Sequence, residues 1–375
     1  MREEDIIKEL SKLKKDENYR SLKSIDKKYI NFSSNDYLGL NEDRELRIEF
    51  FEKYKNVDLM FSSSSSRLLS GTYPIIIKLE KTLEKIYNKK ALLFNSGYDA
   101  NTCLIETLFS KNSLIISDRY NHSSIYAGIK ASEAKLLRYR HLDYNHLEEL
   151  LKKYNLEYDD ILVVSETIYS MDGDKADIKK LVQLKNKYKF KLLIDEAHSF
   201  GVSGYGECYE ADALDLVDYI VIPLGKAGAS IGAYVLMDEL SKEYLINKGR
   251  KFIYTTALPP INVAWNLFIL EKMEKFDFRR ERLIEISEYT RNLLSKYEIK
   301  TISTTNIVSI VIGENQRVNK ISENLQEKGY LIYPIKEPTV PKGTARLRIS
   351  LTALHTEEII QKFIEELKYE IDNIL

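Results

Sequence analysis

The sequence predicts an α/β protein: a mostly parallel central sheet covered by helices, followed by a smaller C-terminal α+β domain. Short apolar runs that read as buried strands recur at 91–94, 114–117, 161–164, 192–194, 219–222 and 233–236, with helical patterns before or between several of them. That alternation is what a parallel sheet buried on both faces produces. After Pro259-Pro260 the texture changes to long charged helices at about 261–274 and 279–296, then to strands near 308–312 and 345–350. The length, 375 residues of which 44% are apolar, is enough for about two or three domains.

Taken in order, Ile6, Ile7, Leu10 and Leu13 recur at helical spacing, so the first fifteen residues should form a surface helix. A short strand at 29–32 follows, then a helix at 78–87 and the regular alternation, and a final helix starts from Thr356. These elements divide the chain into an N-terminal segment 1–42, a large domain 43–270 and a small C-terminal domain 271–375. No period of about 20–50 residues repeats. The five serines from Ser62 to Ser66 alone would read as a flexible linker. Their context argues otherwise, because Arg67-Leu68-Leu69-Ser70-Gly71 follows at once and a helix begins soon after.

Composition excludes several classes. Lys+Arg 56 against Asp+Glu 57 leaves a formal charge of −1, so nothing overall draws the chain to nucleic acid or to an anionic membrane. The two cysteines, Cys103 and Cys208, stand in separate segments and provide neither a disulfide framework nor a thiolate metal site. The N-terminus is charged, unlike a signal peptide. The most apolar long window, 219–237, holds Pro223, Lys226 and three glycines and reads as strand, turn and strand. A soluble, cytoplasmic protein without a bound metal is expected.

Open α/β sheets place ligands at the carboxyl ends of their strands, and four places there carry chemistry. Asn95-Ser96-Gly97-Tyr98-Asp99 follows a strand and opens a helix, so its N–H groups suit a phosphate, although an ordinary capped turn has the same letters. Asp195-Glu196-Ala197-His198 ends a buried strand with a carboxylate that needs a partner: a protonated heterocyclic nitrogen, a metal or a structural hydrogen bond. The same Asp-Glu-Ala-His occurs in some helicases, but a phosphate loop needs Gly-x4-Gly-Lys-Ser/Thr, and Gly225-Lys226 has Ile220 and Ala227 at the decisive positions. Lys226 lies among small residues between two apolar strands, where a desolvated amine suits Schiff-base chemistry. Arg346 and Arg348 alternate onto one strand face, either solvated or able to grip a carboxylate. Together these are the parts needed for pyridoxal phosphate (PLP) acting on an amino acid.

Asn31-Phe32-Ser33-Ser34-Asn35-Asp36-Tyr37-Leu38-Gly39, Ser65 to Gly71, Asp118 to Ser123, Tyr169 to Asp174, and the Asp195 and Lys226 motifs occur in the order seen in the α-oxoamine synthases. The chain resembles that family, fold-type I PLP-dependent transferases, over nearly its whole length. The resemblance implies that Lys226 bonds PLP and serves as general base, Asp195 pairs with the pyridine nitrogen, and His122 stacks on the ring. His198 and Ser170 would hydrogen-bond the ring oxygen or the nearby carboxylate, and Gly97 and Tyr98 would bind the phosphate. Thr255 or Thr256 would reach the phosphate of a neighbouring subunit in a homodimer. Arg348 would hold the amino-acid carboxylate, Arg20 a distal carboxylate on the acyl chain, and Ser66 would leave room for an alanine methyl.

The segments Thr255 to Pro260 and Pro338 to Arg348 point, within the family, to a decarboxylating condensation of L-alanine with a pimeloyl thioester on coenzyme A or acyl carrier protein. Glycine C-acetyltransferase and 5-aminolevulinate synthase share the catalytic parts, and a non-catalytic partner subunit of the same fold is the remote alternative. Three departures stand out: Pro223 where a hydroxyl residue usually precedes the lysine by three, Ser62 and Ser64 where glycines are usual, and Glu207 near a usually basic position.

Overall fold

The computed structural model describes residues 2–22, 24–25 and 28–374. Its strands are β1 (Ile30–Asn31), β2 (Lys90–Phe94), β3 (Leu114–Asp118), β4 (Lys135–Tyr139), β5 (Ile161–Glu166) and β6 (Lys191–Asp195). They continue as β7 (Tyr219–Pro223), β8 (Ala233–Met237), β9 (Ile307–Gly313), β10 (Tyr330–Leu331), β11 (Pro334–Ile335) and β12 (Ala345–Ser350). The chain divides into two compact units, one of residues 38–169 and 175–280, the other of residues up to 37, 170–174 and 281 onward.

Among the described residues, the larger unit holds a seven-stranded sheet in the order β2-β8-β7-β6-β5-β3-β4. Only β8 runs against the rest, pairing antiparallel with both β2 and β7, while the other pairs are parallel. The carboxyl ends of β2, β3, β5, β6 and β7 therefore line one edge. One face of the sheet is built from alternate residues Ile115, Leu162, Leu193, Val221 and Val235, all fully buried. Each such side chain contributes on the order of 1.5–3 kcal/mol on burial. Helix Gly97–Leu108 begins at Ser96, whose side chain accepts from Asp99 N, and helix Pro74–Tyr87 begins with proline and stops at Asn88, φ 51°.

The serine run is no linker in this unit. Ser63 is buried and donates to Leu258 O at 2.7 Å, and Ser64 adopts φ 49°, a region that costs a non-glycine residue free energy. Ser62 Oγ offsets part of that cost by accepting from Ser64 N at 3.0 Å. Serines thus stand where glycines were expected because a local hydrogen bond supports the turn.

The smaller unit carries the antiparallel sheet β11-β12-β9 and the parallel pair β1-β10. The pairing Ile30↔Tyr330 binds the N-terminal segment to the C-terminal part of the chain, and Phe32 stacks on Phe363 at 4.0 Å. The unit boundaries thus differ from those expected at 42 and 270, and a short piece, 170–174, also joins the smaller unit. That piece is fixed by Gly173, φ 69°, where an added Cβ would lie 1.9 Å from Ile307 O. Helix Glu3–Lys15 forms as the spacing predicts, with Ile6, Ile7, Leu10 and Leu13 all exposed. Among the described residues no helix is long and apolar enough to cross a membrane, and no cluster of metal-ligating side chains occurs.

Candidate active site

Lys226 sits in the tight connection between β7 and β8. Leu224 N donates to Gly232 O at 2.9 Å and Ser230 N to Leu224 O at 3.1 Å, closing a loop that demands small residues. A Cβ on Gly228 would come within 2.8 Å of Leu224 O. The amine lies half-buried with Nζ 2.8 Å from His198 Nε2, and His198 is buried in the turn that follows β6.

Asp195, the last residue of β6, is buried and accepts from Ala197 N at 2.9 Å and from Asn101 Nδ2 at 2.6 Å. Beside it in register, at the end of β5, is Glu166, also buried. Desolvation, and after it the Asp195 charge, hold the Glu166 carboxyl well above the usual carboxylate range. Its Oε1 accepts from His122 N at 2.5 Å. His122 caps helix Ser123–Ser132, with Nδ1 accepting from Ser124 N at 3.3 Å and lying 2.8 Å from Ser124 Oγ. Burial, and secondarily the Lys226 charge, push its pKa down against the opposing pull of Asp195. The ring is therefore neutral, with its proton on Nε2.

Gly97 and Tyr98 open helix Gly97–Leu108, so their N–H groups have no intrahelical acceptor. A Cβ on Gly97 would come within 2.6 Å of Pro223 Cγ. The proline that replaces the expected hydroxyl residue thus packs under the turn, and the pair forms a close-fitting, donor-lined cradle. Thr255 Oγ1 and Thr256 O both accept from Asn95 Nδ2, at 3.0 and 2.7 Å, which ties their loop to this turn. Ser66 makes a turn whose carbonyl accepts from Leu69 N and Gly71 N. Arg67 forms a two-point pair with buried Glu80, at 2.8 and 3.1 Å, and is structural.

In the smaller unit neither arginine of β12 is solvated. Arg346 is buried against the Asp172 carboxylate. Arg348, equally buried, reaches Ser170 O at 2.5 Å, Ser350 Oγ at 2.7 Å, Asn35 Oδ1 at 3.1 Å and Tyr37 OH at 3.2 Å. Ser170 meets Arg348 through its carbonyl. Arg20 is exposed, and among the described residues it makes no hydrogen bond or ion pair. Glu207 is paired with Lys175 at 2.8 Å.

Sequence reasoning did not single out Asn101, Ser124 and Glu166. Glu166 carried the same signal as Asp195, a carboxylate ending a buried apolar strand. Asn101 and Ser124 gave only a buried polar residue within an apolar helical pattern, which does not reveal its partner.

A mostly parallel sheet with a lysine, a carboxylate, an imidazole and a donor-lined turn at its carboxyl edge defines a fold-type I PLP-dependent transferase. The family model for aminotransferase class I and II matches residues 27–367. A protein from Haemophilus influenzae (strain 86-028NP), provisionally named 8-amino-7-oxononanoate synthase, is 42% identical over 95% of this chain and 98% of its own length. The crystal structure of 8-amino-7-oxononanoate synthase from Francisella tularensis is 30% identical, with TM-score 0.76, covering 92% of this chain and 99% of that one. A serine palmitoyltransferase from Sphingomonas wittichii is 25% identical, with TM-score 0.88, covering 100% of this chain and 98% of that one. The chain belongs to the class I and II aminotransferase family and, within it, to the α-oxoamine synthases, enzymes that use pyridoxal phosphate.

Proposed function

We propose that this protein is an 8-amino-7-oxononanoate synthase, which condenses L-alanine with a pimeloyl thioester, releases CO2 and the free thiol, and so serves biotin biosynthesis. The observation that carries the reading is the carboxyl edge of the larger unit's sheet, where Lys226, the buried His198 and Asp195, and His122 gather. The names of the relatives support the substrates. The donor set fits the cofactor: Asp195 uses two of about four acceptor sites, leaving room for a ring N–H. The cradle of Gly97, Tyr98 and Pro223 takes the phosphate through backbone donors in place of a hydroxyl.

When bound, PLP supplies an electron sink for the carbanion formed at the substrate Cα. Lys226 Nζ would hold the cofactor through its aldehyde carbon and would be the base that takes up the substrate Cα proton and gives it back. His198 steadies Nζ. Asp195 would keep the ring nitrogen protonated, and the flat His122 ring would pack against the heterocycle. Arg348 is a buried cation that meets only neutral oxygens among the described residues, so it draws the amino-acid carboxylate to itself. Arg20 takes the distal carboxylate of the acyl chain, and Ser66 leaves space for the alanine methyl. The new bond joins Cα to the acyl carbon as the thiolate leaves, and the former carboxylate departs as CO2.

The buried free cysteines suit a reducing cytoplasm, and a homodimer follows from the resemblance; full activity in a monomer on sizing chromatography would contradict the dimer. The higher TM-score to serine palmitoyltransferase favours one second reading, the same machinery with another acyl thioester. The test is thiol release by PLP-loaded protein, with L-alanine, glycine and L-serine each offered pimeloyl-, acetyl-, succinyl- and palmitoyl-CoA. Release with L-alanine and pimeloyl-CoA alone supports the proposal. Release only with another pair keeps the reaction type and overturns the substrates.

A further inference from the structure

Asn101 spends both of its amide hydrogens inside the site. One is donated to Asp195 Oδ2 at 2.6 Å and the other to Ser124 Oγ at 3.1 Å, while its own Oδ1 is buried without a hydrogen-bond partner. Turning the amide over would aim that oxygen at the carboxylate, so the orientation is set by charge. An orphaned buried carbonyl destabilises the fold, and such groups in native proteins call for a functional account. The chain of donors has one direction. Ser124 accepts from Asn101, so its hydroxyl hydrogen is directed to His122 Nδ1 at 2.8 Å, and the histidine proton is placed on Nε2.

We propose that Asn101 is a positioning residue that couples the two groups addressing the cofactor ring, holding Asp195 as an acceptor for the ring nitrogen and, through Ser124, fixing the tautomer of His122. Neither residue touches the reacting atoms. The inference rests on the cofactor assignment of this same site. The other titratable groups facing Asp195 and His122 are Glu166, whose carboxyl burial pushes up, and Lys226.

Two variants test it, Asn101→Leu, which removes both donors at similar volume, and Ser124→Ala, which breaks only the branch to His122. Three readouts apply: the PLP dissociation constant of the reconstituted apoprotein, the ratio of the visible absorption bands of bound PLP, and the nitrogen NMR shifts of the His122 ring. Asn101→Leu should weaken PLP about tenfold and redistribute the absorption bands. Ser124→Ala should leave affinity within about twofold but move the His122 signals toward a mixture of tautomers. Thermal unfolding separates a folded Asn101→Leu from one that has lost structure, and if it does not fold, the Ser124→Ala NMR result decides alone. Unchanged bands and His122 shifts in the folded variants would overturn the proposal. If the wild-type protein takes up no PLP, the cofactor assignment itself fails.

Discussion

Arg346 and Arg348 stand two residues apart on one face of β12 and are both buried, yet they are placed to do different work. Arg346 is closed on the Asp172 carboxylate, whereas Arg348 is surrounded by a carbonyl, two side-chain oxygens of Ser350 and Asn35, and a phenol. The larger unit repeats the contrast at the end of β6. Glu196 is saturated by Ser199 Oγ, Glu207 N and Cys208 N at 2.6, 2.7 and 2.7 Å, strapping the following loop, while its neighbour Asp195 keeps acceptor capacity in reserve. A buried ionisable group whose demand is met within the fold, by an opposite charge or by a full set of donors, holds the fold; one that keeps charge or acceptor capacity in reserve is available to a ligand.

The comparison can be broken by substitution. The largest effect belongs to Lys226→Ala, which should lower the steady-state rate by at least about 10³-fold, as expected when a general base and covalent anchor are lost together. Its chemical unfolding curve should stay near that of the wild type. Arg346→Met should do the opposite. It strands Asp172 as a buried unpaired carboxylate, costing about 3–5 kcal/mol in urea denaturation, with the KM for the amino acid within about twofold of wild type.

A third prediction sets two histidines apart by pH. His355, buried beside Phe32 at a ring distance of 4.5 Å, has its pKa pushed down by desolvation from 6.5 to about 4. The native state thus binds fewer protons than the unfolded chain between these values, so this stability is present above pH 6.5 and lost as pH falls toward 4. The loss is about 3 kcal/mol, and His355→Phe should remove that part of the acid slope when unfolding free energy is measured against pH. His122→Phe should instead alter PLP binding. The smallest effect is that of Arg348→Met, with a KM for the amino acid about 10- to 100-fold higher, from the loss of charge-assisted hydrogen bonds, and a smaller stability loss than Arg346→Met. Equal KM changes in both arginine variants would erase the distinction.

The strands at the centre of the larger sheet were legible because burial on both faces leaves uninterrupted apolar runs, as in β5 and β7. The edge strand β4 was not, because Lys135 and Arg138 interrupt its pattern and face solvent. The pairing of β1 with β10 was hidden for another reason: a two-residue ladder between the ends of the chain leaves no periodic trace. In the site, Lys226, Asp195 and His198 could be read because chemistry-bearing residues flanked by small or apolar ones stand out. Ser64 looked like a departure until its φ and the Ser62 hydroxyl explained it. The Asn101–Ser124 connection depends on side-chain directions across two helices, which spacing along the chain does not encode.

The most direct test follows the carboxyl carbon of L-alanine. PLP-loaded protein given pimeloyl-CoA and L-alanine labelled at that carbon should release the label as CO2, one for each thiol freed, and form an unlabelled 8-amino-7-oxononanoate. Label retained in pyruvate, with no thiol released, would mean that the site moves an amino group and that the condensation proposed here is wrong.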